Sequence, residues 1–553
     1  MRYTLTTVTR AATESAGPAV RPVLLAGAVV TACFLGLFAQ VAATPLGEGM
    51  DVDGHLAYVV FMVREGRWPT PGELSMPADV AALRAHCLAS DYVCPGSYQR
   101  WALLSPSARQ TERAWLLPQE HAAYVGVNYE AQHPPLYYAL ASLVDRPIRR
   151  LPYDRQLFCL SVLSVAMAAT ALPALWLVFR RRLGANVALG LLLAVAWFPN
   201  LMPFLGRVTN DALAFPIVCW FLAAVDRPVM RRGNLVAGAL LLIVGLLVKS
   251  YVLVLVPVYL IACLVKGEGR RLDWKAFAVG LALLSAGLVP LVAFNLATTG
   301  LPMPLYEAQL TAGEPFSRKL LGLFQVRWVL FLTLMARGSF WSGYWSWVAP
   351  GPWYYLPMAA PLLLFVPRRP PTDDAPGAAW WRAVLSDAWV HLASLVFFLL
   401  AMWWHAGLLA LDAQVRGRSQ FLGGEGWYLN VLIGCTAVVL GVAARARYGD
   451  RMLCRLTKRC AVLMIAWNLV ARLTLCAFWG GSVRLWSGLR FASLADVLAA
   501  LTTARSWAAW QSWPGVTGPV SLAQVLPLAV ALALSAWALR GIQVPVSQTP
   551  GAA

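Results

Sequence analysis

Long apolar runs separated by short polar loops dominate the chain. The first run covers residues 22–43, and later ones fall near 157–179, 186–205, 211–225, 234–250 and 251–265. Others follow near 275–296, 353–366, 388–411, 427–444, 460–478 and 522–539. A helix needs about 20 apolar residues to cross a bilayer, so the pattern predicts about 12 spans. Residues 134–144 are apolar over only half that length, which predicts a short or re-entrant helix, or a thirteenth span if it crosses fully. The predicted class is an all-α polytopic integral membrane protein.

The loops set the orientation. Basic residues gather at Arg180-Arg181-Arg182, at Arg227, Arg231 and Arg232, at Lys266, Arg270 and Arg271, at Arg368 and Arg369, and from Arg445 to Arg459. These loops alternate as the positive-inside rule requires, so they are expected in the cytoplasm. Residues 1–21, with Arg2, Arg10 and Arg21, form a cytoplasmic N-terminus. Residues 22–43 are the first transmembrane helix, too long and wrongly flanked for a cleaved signal peptide. Residues 44–133 are an extracytoplasmic loop whose opening, 55–65, is amphipathic and expected along the membrane interface. Residues 134–553 form one multi-helix transmembrane module without an internal repeat.

Composition removes the other classes. Of 553 residues, 59% are hydrophobic and 13% charged, and the mean hydropathy is +0.61, which excludes a soluble protein. The net charge of +19 is spent on orientation and implies no nucleic-acid partner. Cys87 and Cys94 lie alone in the long polar loop, a candidate disulfide in an oxidising compartment. The other eight cysteines have no metal-ligand spacing.

That topology puts nearly every span-end polar residue that invites a functional reading on one outer face. Met50-Asp51-Val52-Asp53-Gly54-His55 directly follows the first span, and Asn128-Tyr129-Glu130-Ala131-Gln132-His133-Pro134-Pro135-Leu136-Tyr137-Tyr138 precedes the next apolar stretch. The same face receives Arg155, Arg207 with Asn210-Asp211, Lys249, Trp341, and Glu425-Gly426-Trp427-Tyr428. Ionisable groups at a membrane edge are costly and mark functional sites. Ordinary readings stand beside each. Asp53 is a natural N-cap for a helix starting near Gly54. Arg155 and Lys249 can snorkel to headgroups. Trp341, Trp345, Trp347 and Trp353 read as an aromatic belt. Asp51 and His55, four apart, offer a metal pair with Glu130 or His133, so a divalent metal is compatible with the sequence but not required by it.

The two loop motifs together resemble the first extracytoplasmic loop of the GT-C superfamily of polyprenyl-phosphate-sugar-dependent glycosyltransferases, in its protein O-mannosyltransferase and aminoarabinose-transferase branch. That branch carries an acidic motif after helix one and a His/Lys-Pro-Pro-Leu motif before helix two. Further segments resemble superfamily elements: Gly206 to Ala212, Leu247-Val248-Lys249-Ser250 with Pro257, Asn295 with Gly300-Leu301-Pro302, and Ser339-Phe340-Trp341. Where a related bacterial subgroup has Gln-Gly-Arg-Tyr, this chain has Glu425-Gly426-Trp427-Tyr428, and Arg416 or Arg418 would replace the lost arginine.

The resemblance implies a GT-C-like bundle and an inverting glycosyltransferase, facing the outside or periplasm of a bacterial inner membrane. It would move a sugar from a polyprenyl-phosphate carrier to an acceptor glycan, lipid or protein. Asp53, then Asp51, would serve as base. His55, Glu130 and His133 would orient base or acceptor, and Arg155, Arg207 and Lys249 would bind the donor phosphate. Asn210, Asp211, Trp341, Glu425 and Tyr428 would support them. A transporter or lipid flippase is the first rival, but it predicts repeated halves and midplane charges, which the sequence lacks. A non-catalytic envelope-assembly protein is the second.

Overall fold

The computed structural model describes residues 20–49, 51–86, 94, 96–227, 231–266, 271–299, 302, 311, 313–341, 348–365, 380–417, 426–481, 490–491, 493–518 and 521–544. Among these, strands occur only as three short two-stranded pairings, and helices make up nearly all the regular structure.

Among the described residues, six helices are long and apolar enough to cross a membrane: Arg21–Ala43, Tyr153–Leu183, Trp274–Ala297, Trp389–Val415, Tyr428–Trp479 and Leu522–Gly541. The protein is an integral membrane protein. The 52-residue segment Tyr428–Trp479 is two helices. Gly449 interrupts it at φ 74°, a left-handed conformation that only glycine adopts freely, between the two spans the sequence predicts at 427–444 and 460–478. Five shorter apolar helices complete the set: Ala185–Ala196, Asp211–Val225, Arg232–Leu246, Ser250–Leu264 and Trp328–Phe340.

Several of the short helices stop early for a common reason. Ala185–Ala196 ends at Trp197, gives way to the five-residue helix Leu201–Leu205, and then to the loop 206–210. Arg232–Leu246 likewise ends before extended Lys249. Non-helical backbone at membrane depth must be enclosed by protein. Val208, Thr209, Asn210, Val248 and Lys249 are all buried, and their polar groups find protein partners.

Three expectations change. The segment expected to span at 353–366 is a 3-10 run, Pro352–Phe365, where the rings of Pro357 and Pro361 would clash with the preceding turn of an α-helix. Trp328–Phe340 is a helix the hydropathy pattern did not separate, since Arg327 and Arg337 flank and interrupt its apolar run. The amphipathic helix expected at the interface is Val52–Glu65, and it is enclosed by protein instead. The helix Leu136–Ile148 covers one side, with Tyr58 and Tyr138 rings 3.8 Å apart, and the hairpin of Leu74–Pro77 with Tyr124–Val127 covers another.

Asp79 fastens that loop to the bundle. Its carboxylate accepts from Arg64 at 2.8 and 3.3 Å, from the Tyr153 hydroxyl at 2.6 Å and from the Gln119 N–H at 2.8 Å. Burial alone would raise its carboxyl, but these donors outweigh it and hold it below 3.8. A depressed pKa stabilises the fold at pH above the unfolded value, and that contribution disappears as pH falls through the folded one. Asp79→Ala leaves the Arg64 charge unpaired, so it is expected to destabilise by about 3–5 kcal/mol. Thermal unfolding at neutral pH measures the loss, and an unchanged Tm contradicts it. The opposite end of the bundle has its own polar knot, where Arg182 grips Asp226 at 3.0 Å and buried His391 approaches the same carboxylate at 3.4 Å.

Candidate active site

The loop motifs and the ends of four helices meet at one place. Val52–Glu65 begins with Asp51 at φ 56°, ψ 21°, the one non-glycine residue with positive φ among those described. Left-handed backbone costs a side-chain-bearing residue about 1–3 kcal/mol and persists where surroundings enforce it, commonly at functional sites. Asp51 caps nothing through its side chain. Tyr129, Arg207 and Lys249 act on it instead and favour its charged form.

Asn128 closes the second motif onto the first. Its amide donates to the Gly54 carbonyl at 2.8 Å, and its side-chain oxygen accepts the Glu130 N–H at 3.1 Å. Glycine is required at position 54, because a Cβ there would stand 2.9 Å from Glu130 Cγ and 3.3 Å from Asn128 Oδ1. Glu130 is thereby brought, 2% exposed, beneath the helix. One oxygen, Oε2, meets His55 Nδ1 at 3.1 Å, His133 Nε2 at 3.2 Å and the Tyr138 hydroxyl at 3.1 Å. Tyr138 also stands 2.8 Å from His55 Nδ1.

Burial dominates the protonation of this group. It raises Glu130 well above 4.5, with Asp51 adding to the rise, and it drives His55 and His133 well below 6.5, with Lys249 assisting. Burial thus disfavours charge on all three of these groups. Asp51 is also raised by desolvation, but Tyr129, Arg207 and Lys249 oppose the rise. Lys249 acts on both carboxyls, and Arg207 adds a further pull on Asp51.

The basic side is built from the Arg207 loop and Lys249. Lys249 Nζ bonds Asn210 Oδ1 at 2.8 Å and Asp211 at 3.1 Å, and Tyr251 holds the other Asp211 oxygen at 2.9 Å. The Tyr428 ring lies 5.5 Å from the same ammonium. The Tyr137 hydroxyl accepts the Thr209 N–H at 3.0 Å, and the Leu136 N–H donates to the Leu247 carbonyl at 3.0 Å. Those two bonds tie the Pro134-Pro135 motif to both basic segments. Arg207 is 5% exposed, yet its Nε has no hydrogen-bond partner and no described carboxylate pairs with it. Asp51 is the carboxylate that feels its charge.

Not every candidate converges. Asp53 lies two residues into the helix and is engaged by Arg84. It is neither the N-cap, which is Asp51, nor part of the Glu130 cluster. Arg155 is exposed in the first turn of its helix, apart from the cluster. Trp341 is no belt residue: it is 2% exposed and donates to the Val348 carbonyl at 2.6 Å. Cys87, Glu425, Arg418, Trp345 and Trp347 lie outside the described residues, so the Cys87–Cys94 pairing does too. Among the described residues no three His, Cys, Asp or Glu side chains are grouped to hold a metal ion. Asn128, Tyr129, Tyr138 and Tyr251 were not singled out from sequence. The first three stand inside the quoted motif, and Tyr251 follows Lys249 by two.

No family model matches the chain, and no curated protein does. Among solved structures, ArnT from Cupriavidus metallidurans bound to undecaprenyl phosphate is similar at 13% identity and TM-score 0.43, over 95% of this chain and 78% of ArnT. An oligosaccharyltransferase from Archaeoglobus fulgidus, in complex with Zn and sulfate, is similar at 11% identity and TM-score 0.39, over 82% of this chain and 53% of its own. The same archaeal enzyme, AglB, with an inhibitory peptide and a dolichol-phosphate, matches at 11% identity and TM-score 0.36, over 95% of this chain and 56% of its own. These likenesses are distant.

Proposed function

We propose that the chain is an inverting glycosyltransferase that takes a sugar from a polyprenyl-phosphate carrier on the extracytoplasmic face. The observation that carries this is the placement of a strained Asp51 in the field of a buried Arg207 whose Nε has no hydrogen-bond partner. A lipid-phosphate sugar already has a good leaving group. As the anomeric C–O bond breaks, its electron pair passes to the phosphate oxygen, where Arg207 and Lys249 offset the developing charge. The acceptor hydroxyl forms the new bond from the opposite face and gives its proton to Asp51. Attack opposite the leaving group inverts the anomeric carbon. Glu130, held by His55, His133 and Tyr138, orients the acceptor. Tyr129, Asn210 and Asp211 position the charged groups.

The pH dependence of kcat/KM tests this. Asp51 works only when deprotonated, so activity rises with pH through its pKa. Desolvation places that pKa above 3.8, and Arg207 and Lys249 pull it down. Lys249→Met removes one pull and is expected to move the acid limb to higher pH, besides lowering the maximum. A limb unmoved by Lys249→Met, in donor-saturated assays, removes Asp51 as the base under Lys249's influence.

A further inference from the structure

A second polar cavity opens at the far ends of the same two helices that carry the site. Val52–Glu65 and Leu136–Ile148 run side by side, with His55 and Tyr138 meeting at their first turns and Arg64 and Asp145 near their last. Between those last turns, the loop at 118–124 and the start of Tyr153–Ala169 lies a cavity of about 530 Å³. That is within the roughly 300–1,000 Å³ typical of ligand pockets. From Asp51 to Val63 on its wall is about 18 Å at 1.5 Å per helical residue.

Asp145 lies 1% exposed against this cavity, and its Oδ1 has no hydrogen-bond partner. Burial pushes its carboxyl up to about 6 despite the pull of Arg64. A buried oxygen left in that state requires a donor that the protein does not supply. The other charges balance. Arg64 is engaged by Asp79 and Tyr153, Arg150 by Glu120 at 2.9 Å, and Tyr124 donates to Glu65 at 2.8 Å. Exposed Arg149 remains at the rim to set against Asp145. A lining with acceptors and donors in balance, no strong net field, and the rings of Tyr124 and Tyr153 matches a neutral polyhydroxylated ligand better than an ion.

We infer that this cavity binds a neutral saccharide segment, with Asp145 accepting from a sugar hydroxyl and Arg149 donating at the rim. Resting on the glycosyltransferase reading, the segment is the remote part of an oligosaccharide acceptor whose reacting hydroxyl reaches Asp51.

Calorimetric titration of the full chain in lipid nanodiscs, without donor, tests the site. The probes are tri- to pentasaccharides of glucose, mannose and N-acetylglucosamine. At least one is expected to bind. Asp145→Leu removes the acceptor oxygen, and Ala122→Trp fills the cavity from its loop side without touching the buried carboxyl. Each is expected to weaken binding roughly tenfold or more, the scale of losing a hydrogen bond to a charged group. Arg67→Ala, paired with Glu73 outside the cavity, is expected to bind as wild type. No binding by any probe, or equal binding by wild type and Ala122→Trp, overturns the inference. Because no donor is present, these results stand or fall separately from the transfer reaction.

Discussion

Asp51→Asn is expected to lower turnover by roughly 100- to 10,000-fold, the range associated with a positioned general base. The amide keeps the size of the carboxylate and can still accept the Tyr129 hydroxyl, so the local structure has little reason to change. Asparagine is also the residue after glycine most tolerant of left-handed backbone, which Asp51 occupies at φ 56°. What disappears is the lone pair that takes the acceptor proton. Asp53→Asn is the informative companion. Asp53 is held by Arg84 at the partly exposed edge of the helix, and its loss removes only an ion pair of the kind worth about 0–1 kcal/mol. Turnover near wild type is therefore expected there. Full activity in Asp51→Asn, or inactivity confined to Asp53→Asn, moves the base away from the strained residue.

Arg207→Met is expected to weaken donor binding by about 1.5–3 kcal/mol, roughly 10- to 150-fold, the range for a hydrogen bond to a charged group. Enclosing a guanidinium is expensive, and Arg207 Nε is buried without a hydrogen-bond partner although Asp51 lies in its field. The chain nevertheless makes room for it: at Gly49, φ 129°, a Cβ would come within 3.0 Å of Arg207 Cδ. Methionine retains the stem volume and removes the charge. The same variant is expected to fold at least as stably as wild type, since a buried charge is lost. Weaker binding of polyprenyl phosphate with an undiminished Tm supports an anion site. Undiminished binding returns Arg207 to the role of a membrane-edge anchor.

Much of the architecture was legible because bilayer and helix geometry impose strong patterns. The spans at 211–225, 275–296 and 522–539 coincide closely with helices Asp211–Val225, Trp274–Thr299 and Leu522–Gly541. Hydropathy failed where backbone chemistry or packing overrode it. It cannot see that Pro357 and Pro361 keep Pro352–Phe365 a 3-10 run, nor that both faces of Val52–Glu65 are covered by protein. For the site, sequence brought forward the segments that converge but not the roles within them. Asp51 and Asp53 are two residues apart and equal as acids. Only backbone conformation distinguishes the left-handed residue facing Tyr129 from the neighbour facing Arg84. Arg155 and Arg207 were equally plausible phosphate ligands, and only burial separates them.

The central claim is that this chain moves a sugar from a lipid phosphate to a hydroxyl. The most direct measurement uses the purified full chain in nanodiscs with a polyprenyl-phosphate sugar labelled at its anomeric carbon and an extract of bacterial envelope lipids and glycans as acceptor. The expected result is release of polyprenyl phosphate with transfer of the label, inversion at the anomeric carbon, and loss of both in Asp51→Asn. Label that stays on the carrier across the donor sugars tested, or moves equally with Asp51→Asn, contradicts the account.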